Sequence, residues 1–193
     1  MEDSLNMDLP LITKRLVLRR FTMDDVPALL GLVREPSVAR VMLGIEPTEA
    51  SVRDYLARQT SYQPFEQDRC FDLALERKRQ CQVIGLLSLV RREHEKGEIG
   101  WALGTAHRGQ GYVTEGARAL MAYGFATLGL HRIYATTSDV NTGSWRVMER
   151  LGMRREGQLR EAELRDGEWI DVLIYGLLDR EWQARSPSTG ESA

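Results

Sequence analysis

Residues 98–115 read EIGWALGTAHRGQGYVTE, and three different patterns follow one another within them. Glu98 to Leu103 is short and mostly apolar, as expected for a strand. The segment that follows, up to Gly111, contains glycines and polar residues, which is typical of a loop. From Val113 to about Leu128 apolar residues recur at steps of three and four, which predicts a helix. The chain therefore has a strand, a glycine-containing loop and a helix start in direct succession.

The loop has the properties of an anion-binding site. The first N–H groups of a helix are unpaired and carry partial positive charge, so they bind phosphate groups. Gly109 and Gly111 lack a Cβ, which allows close approach of a ligand and positive φ. The phosphate loop of NTPases is excluded because it needs Gly-Lys-Ser/Thr. A dinucleotide fingerprint is excluded because its third glycine would stand at Thr114. Taken alone, the loop is also compatible with a plain turn into a helix.

A second helix start follows the apolar segment at residues 133–137. Asn141-Thr142-Gly143-Ser144 opens a segment that ends at Leu151-Gly152-Met153. Asn is a favoured N-cap, and glycine is favoured just beyond the last turn of a helix. The sequence therefore predicts a second, short helix over Thr142–Leu151.

Strands and helices are also predicted in the rest of the chain, including two consecutive helices near its start. Strands are expected at about residues 15–19, 71–75, 83–90, 98–103, 133–137, 154–164 and 169–177, and helices at about 24–33, 48–62, 113–128 and 142–151. The order is β-α-α-β-β-β-α-β-α-β-β, and Asp166-Gly167 predicts a hairpin turn between the last two strands. This mixture indicates an α+β fold in a single domain over residues 10–182, with flexible termini at 1–9 and 183–193.

Composition excludes several classes of protein. The 26 basic and 28 acidic residues nearly balance, so nothing favours binding to nucleic acid or an anionic membrane. No apolar run reaches the roughly 18 residues of a membrane span, and the acidic N-terminus does not look like a secretory signal. Cys70 and Cys81 are too few for a disulfide framework, and the histidines lack metal-ligand spacing. We therefore expect a cytoplasmic protein with free thiols and no metal, either a monomer or a homodimer.

The two helix starts and the motifs around them resemble the GNAT acetyltransferases. In that family the cofactor loop has the form Arg/Gln-x-x-Gly-x-Gly/Ala, and an Asn-x-x-Ser/Ala helix ending in Leu-Gly-Phe follows the next strand. The branch that includes the ribosomal-protein N-terminal acetyltransferases is similar in further motifs: RLVLR at 15–19, EGQLR at 156–160, DVLIY at 171–175 and EW at 181–182. Two positions depart from the pattern. Ala106 stands at the first loop position, and Met148 stands where many members carry a tyrosine acid.

This resemblance implies the GNAT fold, with a mostly antiparallel central sheet of about seven strands flanked by about four helices. It implies acetyl-CoA as co-substrate and transfer of the acetyl group to a primary amine. The fourth and fifth predicted strands would splay apart and admit the pantetheine arm. The implied cofactor-binding residues are Ala102, Leu103, Arg108, Gly109, Gln110, Gly111, Tyr112, Val113, Asn141 and Ser144. A solvated Arg108 and a merely capping Asn141 are the alternatives for those two side chains.

Acetyl transfer to an amine needs a base for the amine proton and an acid for the departing thiolate. Ser144 is the candidate acid, in place of the missing tyrosine. Glu163 is the first candidate base, because the ribosomal-protein branch carries a catalytic glutamate in this region. Glu98 is the second, because other branches place a base at that point of the sheet. For each of the three, an ordinary structural role is the alternative.

The acceptor is the least readable feature of the sequence. The leading hypothesis is the α-amine of a protein or peptide N-terminus. A small amine, such as a polyamine, an aminoglycoside or a toxin, is the alternative acceptor. A non-catalytic acyl-CoA-binding sensor is the alternative from another class. Glu156, Glu161 and Glu163 would suit a cationic acceptor of either kind and do not discriminate between them.

Overall fold

The computed structural model describes residues 9–42, 44–165 and 167–185. The strands are β1 Leu11–Ile12, β2 Leu16–Arg20, β3 Phe71–Arg77, β4 Gln82–Arg92, β5 Lys96–Leu103, β6 Arg132–Ser138, β7 Arg154–Arg165 and β8 Glu168–Leu178. The helices are α1 Val26–Val33, α2 Pro36–Ala39, α3 Glu49–Ser61, α4 Tyr112–Ala126, α5 Thr142–Leu151 and α6 Asp179–Arg185. The strands form one open sheet in the order β1-β2-β3-β4-β5-β6-β8-β7, antiparallel everywhere except between β5 and β6.

The predicted mixed α+β fold and order of elements are confirmed, with three short additions. The described residues contain eight strands and six helices. Three of these elements, β1, α2 and α6, were not predicted. A two-residue strand and a single helical turn carry no readable periodicity. Pro36 starts α2 instead of only interrupting a helix, as its fixed φ allows at a first helical position.

Two sections of the predicted map reach beyond the described residues. Residues 1–8 and 186–193 lie outside them, so flexibility of the termini stays a prediction there. The last helix continues to Arg185, past residue 182. Of the predicted hairpin turn, Asp166 lies outside the described residues, and Gly167 has the positive φ of +84° that a tight turn often requires. Cys70 and Cys81 are free thiols in the described structure.

Alternate residues of the central strands point into two separate apolar cores. On one face Leu73 and Leu87 pack under α4, in a core that continues to the end of the sheet. On the other face Ala74 and Leu86 pack under α1 and α3. Gly116 lets α4 lie close to the sheet, because a Cβ there would come within 2.8 Å of the Leu87 side chain. The sheet is therefore covered by helices on both faces.

The pairing of β5 with β6 ends after three residue pairs. The pairs run from Lys96↔Arg132 to Glu98↔Tyr134. Beyond them β5 stays with β4 as far as Leu103, and β6 stays with β8. The sheet is therefore open between the second halves of β5 and β6, which agrees with the splaying that the family resemblance implies.

Candidate active site

The glycine loop leads into α4 in a conformation that exposes its first N–H groups. Gly109 and Gly111 have φ of +74° and +78°, values that favour glycine. Gly111 is the N-cap of α4, and its carbonyl accepts the N–H of Glu115 at 3.0 Å. The N–H groups of the first turn have no carbonyl of their own helix to pair with. Residues of this turn line the same cavity as Ala102 and Leu103 at the end of β5.

Arg15 on the N-terminal side of the sheet holds this loop in place. Its Nη1 donates to the Gln110 carbonyl at 2.9 Å, and its Nε donates to Glu115 at 2.6 Å. The guanidinium also lies 4.5 Å from the centre of the Tyr112 ring. Burial alone would raise the pKa of Glu115, but hydrogen bonds from Thr13 and Arg15 outweigh it, so the pKa is lowered. Glu115 is thus held as a charged anchor of the loop.

Arg108 is tied to the end of β5. Its Nε and Nη2 each donate to the Leu103 carbonyl at 3.2 Å, and Nη2 donates to Ser37 at 2.8 Å. A fully solvated Arg108 therefore does not describe this structure. The guanidinium places a fixed positive charge beside the N-terminus of α4, where an anionic group would be stabilised.

The start of α5 combines a helix cap with a contact across the sheet opening. The Asn141 side chain accepts the backbone N–H of Ser144 at 3.3 Å, so its capping role is real. Its side-chain NH₂ group remains a donor for a ligand. Ser144 Oγ accepts a hydrogen bond from Trp101 Nε1 at 3.3 Å. Trp101 was missed by sequence reasoning, because an apolar strand residue gives no sign of a partner on a distant helix.

These elements surround a cleft of about 770 Å³ between the ends of β5 and β6, which we call the β5–β6 cleft. Of the predicted cofactor residues, all except Gln110 line it: Ala102, Leu103, Arg108, Gly109, Gly111, Tyr112, Val113, Asn141 and Ser144. The Gln110 side chain instead donates to the Ala106 carbonyl at 3.2 Å. Two helix N-termini and one fixed guanidinium therefore face a single elongated opening.

The two candidate bases lie in different surroundings. Glu98 lies at the last pair before the opening, where it accepts bonds from Arg92 Nη2 at 2.7 Å and from the Tyr134 hydroxyl at 3.1 Å. Glu163 lies on β7, next to the hairpin, and is bonded to Arg165 at 2.8 Å. Arg165 lines the β5–β6 cleft, whereas neither Glu98 nor Glu163 is among the residues that line it or the second cavity on the α3 face of the sheet. Met148, at the position of the missing tyrosine, is buried in the core.

A second cavity of about 530 Å³ lies on the α3 face of the sheet. It shares Val41, Trp101 and Ala102 with the β5–β6 cleft, so the two spaces meet at β5. Its walls include Tyr55 and Tyr62 as well as the strand residues Asp72, Ser88 and Gly100. Sequence reasoning missed this cavity.

Asp72 is the unusual residue of the second cavity. It is only 7% exposed and accepts hydrogen bonds from the Tyr55 hydroxyl, from Gln59 Nε2 at 3.4 Å and from the Cys70 thiol at 3.4 Å. Burial raises the pKa of Asp72. Desolvation and the charge of Asp72 raise the pKa of the Cys70 thiol to about 12, so this cysteine is held protonated. The signal that could have found Asp72 is a carboxylate inside the apolar strand Phe71–Leu75.

Two absences hold for the residues that the structure describes. Within those residues, histidine, cysteine, aspartate and glutamate side chains form no cluster of three or more that could hold a metal ion. Across the same residues no helix has the length and apolar character needed to traverse a bilayer.

Comparisons with known proteins agree with this geometry. A family described as "Acetyltransferase (GNAT) domain" matches residues 15–154. An N-acetyltransferase from Bacillus licheniformis, p20, is 33% identical over 89% of this chain and 97% of its own length. The [ribosomal protein uS5]-alanine N-acetyltransferase of Escherichia coli is 28% identical over 52% of this chain and 54% of its own. The crystal structure of a GNAT-family acetyltransferase from Bacillus anthracis superposes with a TM-score of 0.79 at 28% identity, covering 90% of this chain and all of the other.

Proposed function

The chain belongs to the GNAT acetyltransferase family and is an N-acetyltransferase, and from this premise we propose that it acetylates the α-amine of a protein or peptide N-terminus with acetyl-CoA as donor. The observation that carries the proposal is the loss of pairing between β5 and β6 beyond Glu98↔Tyr134. It leaves the sheet open beside the β5–β6 cleft, which shares the wall residues Val41, Trp101 and Ala102 with the second cavity. The similarity to a ribosomal-protein alanine acetyltransferase, over about half of each chain, supports a protein acceptor.

The residues of the β5–β6 cleft fit coenzyme A. Gly109 and Gly111 leave room for a phosphate because a Cβ at Gly109 would meet nothing within 4 Å and one at Gly111 would meet only Arg15, at 3.6 Å. The first N–H groups of α4 would hold the pyrophosphate together with the Arg108 charge. Asn141 and the open edge of β5 at Ala102 would hold the pantetheine amides. When bound, acetyl-CoA supplies the activated acyl group as a thioester.

The remaining chemistry falls to this chain's own side chains. The acceptor amine must lose a proton, and Glu98 borders the opening on the face of the second cavity. The Ser144 hydroxyl faces the β5–β6 cleft and would give a proton to the departing thiolate. An α-amine with a pKa near 8 is already partly neutral at pH 7, whereas a lysine near 10.4 is almost wholly protonated. A carboxylate acting directly or through one water is therefore sufficient for an α-amine. We place this reaction in the cytoplasm, where N-termini emerge from synthesis.

The acceptor class is tested by measuring thiol release from acetyl-CoA against a matched panel. The panel contains free N-terminal peptides, the same peptides with blocked N-termini, polyamines and aminoglycosides. We expect turnover on the free peptides that is lost on blocking. Turnover on small amines alone would replace the proposal with the small-amine alternative.

Loss of catalysis in Ser144→Ala tests the candidate acid separately. We expect kcat to fall about tenfold or more while the affinity for acetyl-CoA stays within about twofold. Silence of the wild type on the whole panel, with coenzyme A binding intact, would instead favour the acyl-CoA sensor. An unchanged kcat in Ser144→Ala would remove Ser144 from the mechanism.

A further inference from the structure

Two of the described carboxylates are almost fully buried, and they are treated differently by the fold. Asp25, 6% exposed, is paired with both Nη atoms of Arg19 at 2.8 Å. Asp72, 7% exposed, receives only neutral donors: a hydroxyl, an amide and a thiol. Among the ion pairs formed by the described residues, none includes Asp72. A buried carboxylate without a cation is expensive, and folds seldom keep one without use.

Asp72 remains able to bind a ligand from the cavity side. An ionised carboxylate has about four lone-pair positions, and the Tyr55, Gln59 and Cys70 donors occupy three of them. The carboxylate belongs to the wall of the second cavity, whose other walls include Tyr55 and Tyr62 rings and Leu86. Such a space suits an alkyl chain that ends in a positive charge.

The sheet register fixes how far Asp72 is from the reaction centre. Asp72 pairs with Ser88, and Ser88 pairs with Gly100, so the three form one row across β3, β4 and β5. Two strand spacings separate Asp72 from Gly100, or about 10 Å. Gly100 lies on β5 just past the point where pairing with β6 stops. Asp72 is therefore too far from the opening to take the proton of the reacting amine, and it is placed for a second group of the acceptor.

Two arginines also line the second cavity. Arg58 and Arg69 are exposed, in contrast to the buried Asp72. Arg69 lies 5.0 Å from the Tyr62 ring centre and is paired with Glu66 at 2.8 Å. The second cavity thus has one buried negative charge, at Asp72, and exposed charged groups of both signs, since Asp68 also lines it. The buried carboxylate suits an acceptor that carries one additional cation.

We propose that Asp72 is a specificity-determining residue that binds a positively charged side chain of the acceptor, about two strand spacings from the reacting amine. The proposal rests on the proposed function. For a peptide acceptor, the distance corresponds to a Lys or Arg side chain at the second or third position, since one or two residues of extended chain span about 3–7 Å and the long side chain covers the rest. No bond is made or broken at Asp72, so its role is to select and position the acceptor.

The test compares peptides that differ only in one charge. Peptides with Lys at position two, three or four are assayed beside peptides with norleucine, a neutral residue of similar shape, at the same position. We expect wild-type kcat/KM to favour Lys at position two or three by about tenfold or more. In Asp72→Asn this preference should vanish, while KM for acetyl-CoA stays unchanged. Asp54→Asn is the matched control, because Asp54 is exposed on α3 and lines neither cavity.

Two further measurements separate this inference from the proposed function. If no peptide reacts, short diamines and monoamines of equal length are compared, and their binding to the coenzyme A complex is measured by calorimetry. If the wild type prefers diamines and Asp72→Asn abolishes that preference, the role of Asp72 stands and the peptide acceptor is overturned. The role of Asp72 is overturned if the wild type acetylates or binds acceptors with and without the second charge equally well. It is also overturned if the preference for the second charge survives in Asp72→Asn.

Discussion

Glu98 and Glu163 were both candidate bases on sequence grounds, and their local contacts give them different prospects. Glu98 lies where β5 and β6 separate, with the Tyr134 hydroxyl at 3.1 Å and Arg92 at 2.7 Å. Glu163 forms a pair with Arg165 two residues along the same strand. A base must reach the proton that it removes, directly or through one water. Position at the opening therefore favours Glu98, even though the motif resemblance placed Glu163 first.

We predict that Glu98→Gln lowers kcat by about 100-fold, because the amine then loses its proton without a positioned carboxylate. The matched variant Glu163→Gln should keep kcat within about twofold, because Glu163 lies on β7, paired with Arg165, and not where β5 and β6 separate. Steady-state kinetics over pH 6 to 9 with the best acceptor decide the matter. A large loss in Glu163→Gln with none in Glu98→Gln would reverse the assignment.

Some residues of the candidate site could be predicted from the sequence, and others could not. Gly109, Gly111 and Asn141 could be predicted because their roles depend on local backbone geometry, which the neighbouring residues specify. The Trp101–Ser144 contact and the burial of Asp72 arise from elements far apart in the chain. A period or a motif does not report such contacts. The glycine loop and the helix cap were therefore predictable, whereas the contacts between distant elements were not.

At the scale of elements, the N-terminal strand and the cofactor loop form one unit through Arg15. Replacing Arg15 with Met removes its bonds to the Gln110 carbonyl and to Glu115. We predict that KM for acetyl-CoA rises about tenfold with little change in kcat, since the loop is loosened and the reacting groups are untouched. Arg20→Met is the control, because Arg20, at the far end of the strand that Arg15 precedes, donates to the Thr60 and Tyr62 carbonyls instead. A fall in kcat at constant KM would contradict the positioning role.

The packing of α4 on the sheet gives a prediction for stability. A Cβ at Gly116 would lie 2.8 Å from a Leu87 methyl and 2.9 Å from a Leu75 methyl, both in the core. Gly116→Ala gains up to about 1 kcal/mol in helix propensity, but overpacking costs about 1–3 kcal/mol. We expect a net loss of about 1 kcal/mol in the free energy of unfolding, measured by urea denaturation.

Gly31 in α1 is the matched control for that substitution. A Cβ there meets nothing within 4 Å, and the residue is exposed in the helix. Gly31→Ala should therefore stabilise the protein by about 0.5–1 kcal/mol. Opposite signs for the same chemical change would show that α4 is held against the sheet by close approach. Equal gains in both variants would show that the Leu75 and Leu87 side chains move aside freely.

Element types were predictable from periodicity, whereas strand order was not. The strands β3 and β4 are short, nearly continuous buried runs, as expected for central strands covered on both faces, and the three-four spacing in α4 matches the helical period. The placing of β8 between β6 and β7 depends on a crossover that local sequence does not encode. The family resemblance implied a mostly antiparallel sheet of about seven strands, and no order of strands within it was predicted. It did not supply the acceptor, since function lies in sites that vary on one fold.

At the scale of the whole molecule, the sheet separates two tasks. One face and the sheet opening carry the cleft with two helix N-termini, and the other face carries the cavity with Asp72. The acyl donor and the acceptor can thus approach from different sides and meet at β5, where Trp101 and Ala102 border both spaces. A change in the β5–β6 cleft should alter KM for acetyl-CoA and leave KM for the acceptor unchanged. A change in the second cavity should do the reverse. The Arg15 and Asp72 variants test this independence from opposite faces.

The fold also depends on ionised carboxylates, which makes its stability sensitive to acid. Burial alone would raise the pKa of Asp25, but the bonds from Arg19 and Thr22 outweigh it and lower the pKa. The bond from Arg132 likewise lowers the pKa of Glu156. A group with a lowered folded-state pKa stabilises fully above its unfolded pKa of about 4 and loses that contribution as pH falls further. Asp72 has the opposite sign, because its raised pKa favours the folded state as pH falls.

We predict that Asp25→Asn lowers the free energy of unfolding at pH 7 on the order of 3 kcal/mol, because Arg19 loses its buried partner. It should also flatten the fall in stability below about pH 4. Asp72→Asn should cost little or nothing at pH 7, and its stability should begin to fall at a higher pH than that of the wild type. Urea titrations between pH 3 and 8 measure both slopes. If the free energy of unfolding has the same dependence on pH in the two variants, Asp72 has a cation partner in the folded protein. That result would also remove the reason for expecting an acceptor cation at that carboxylate.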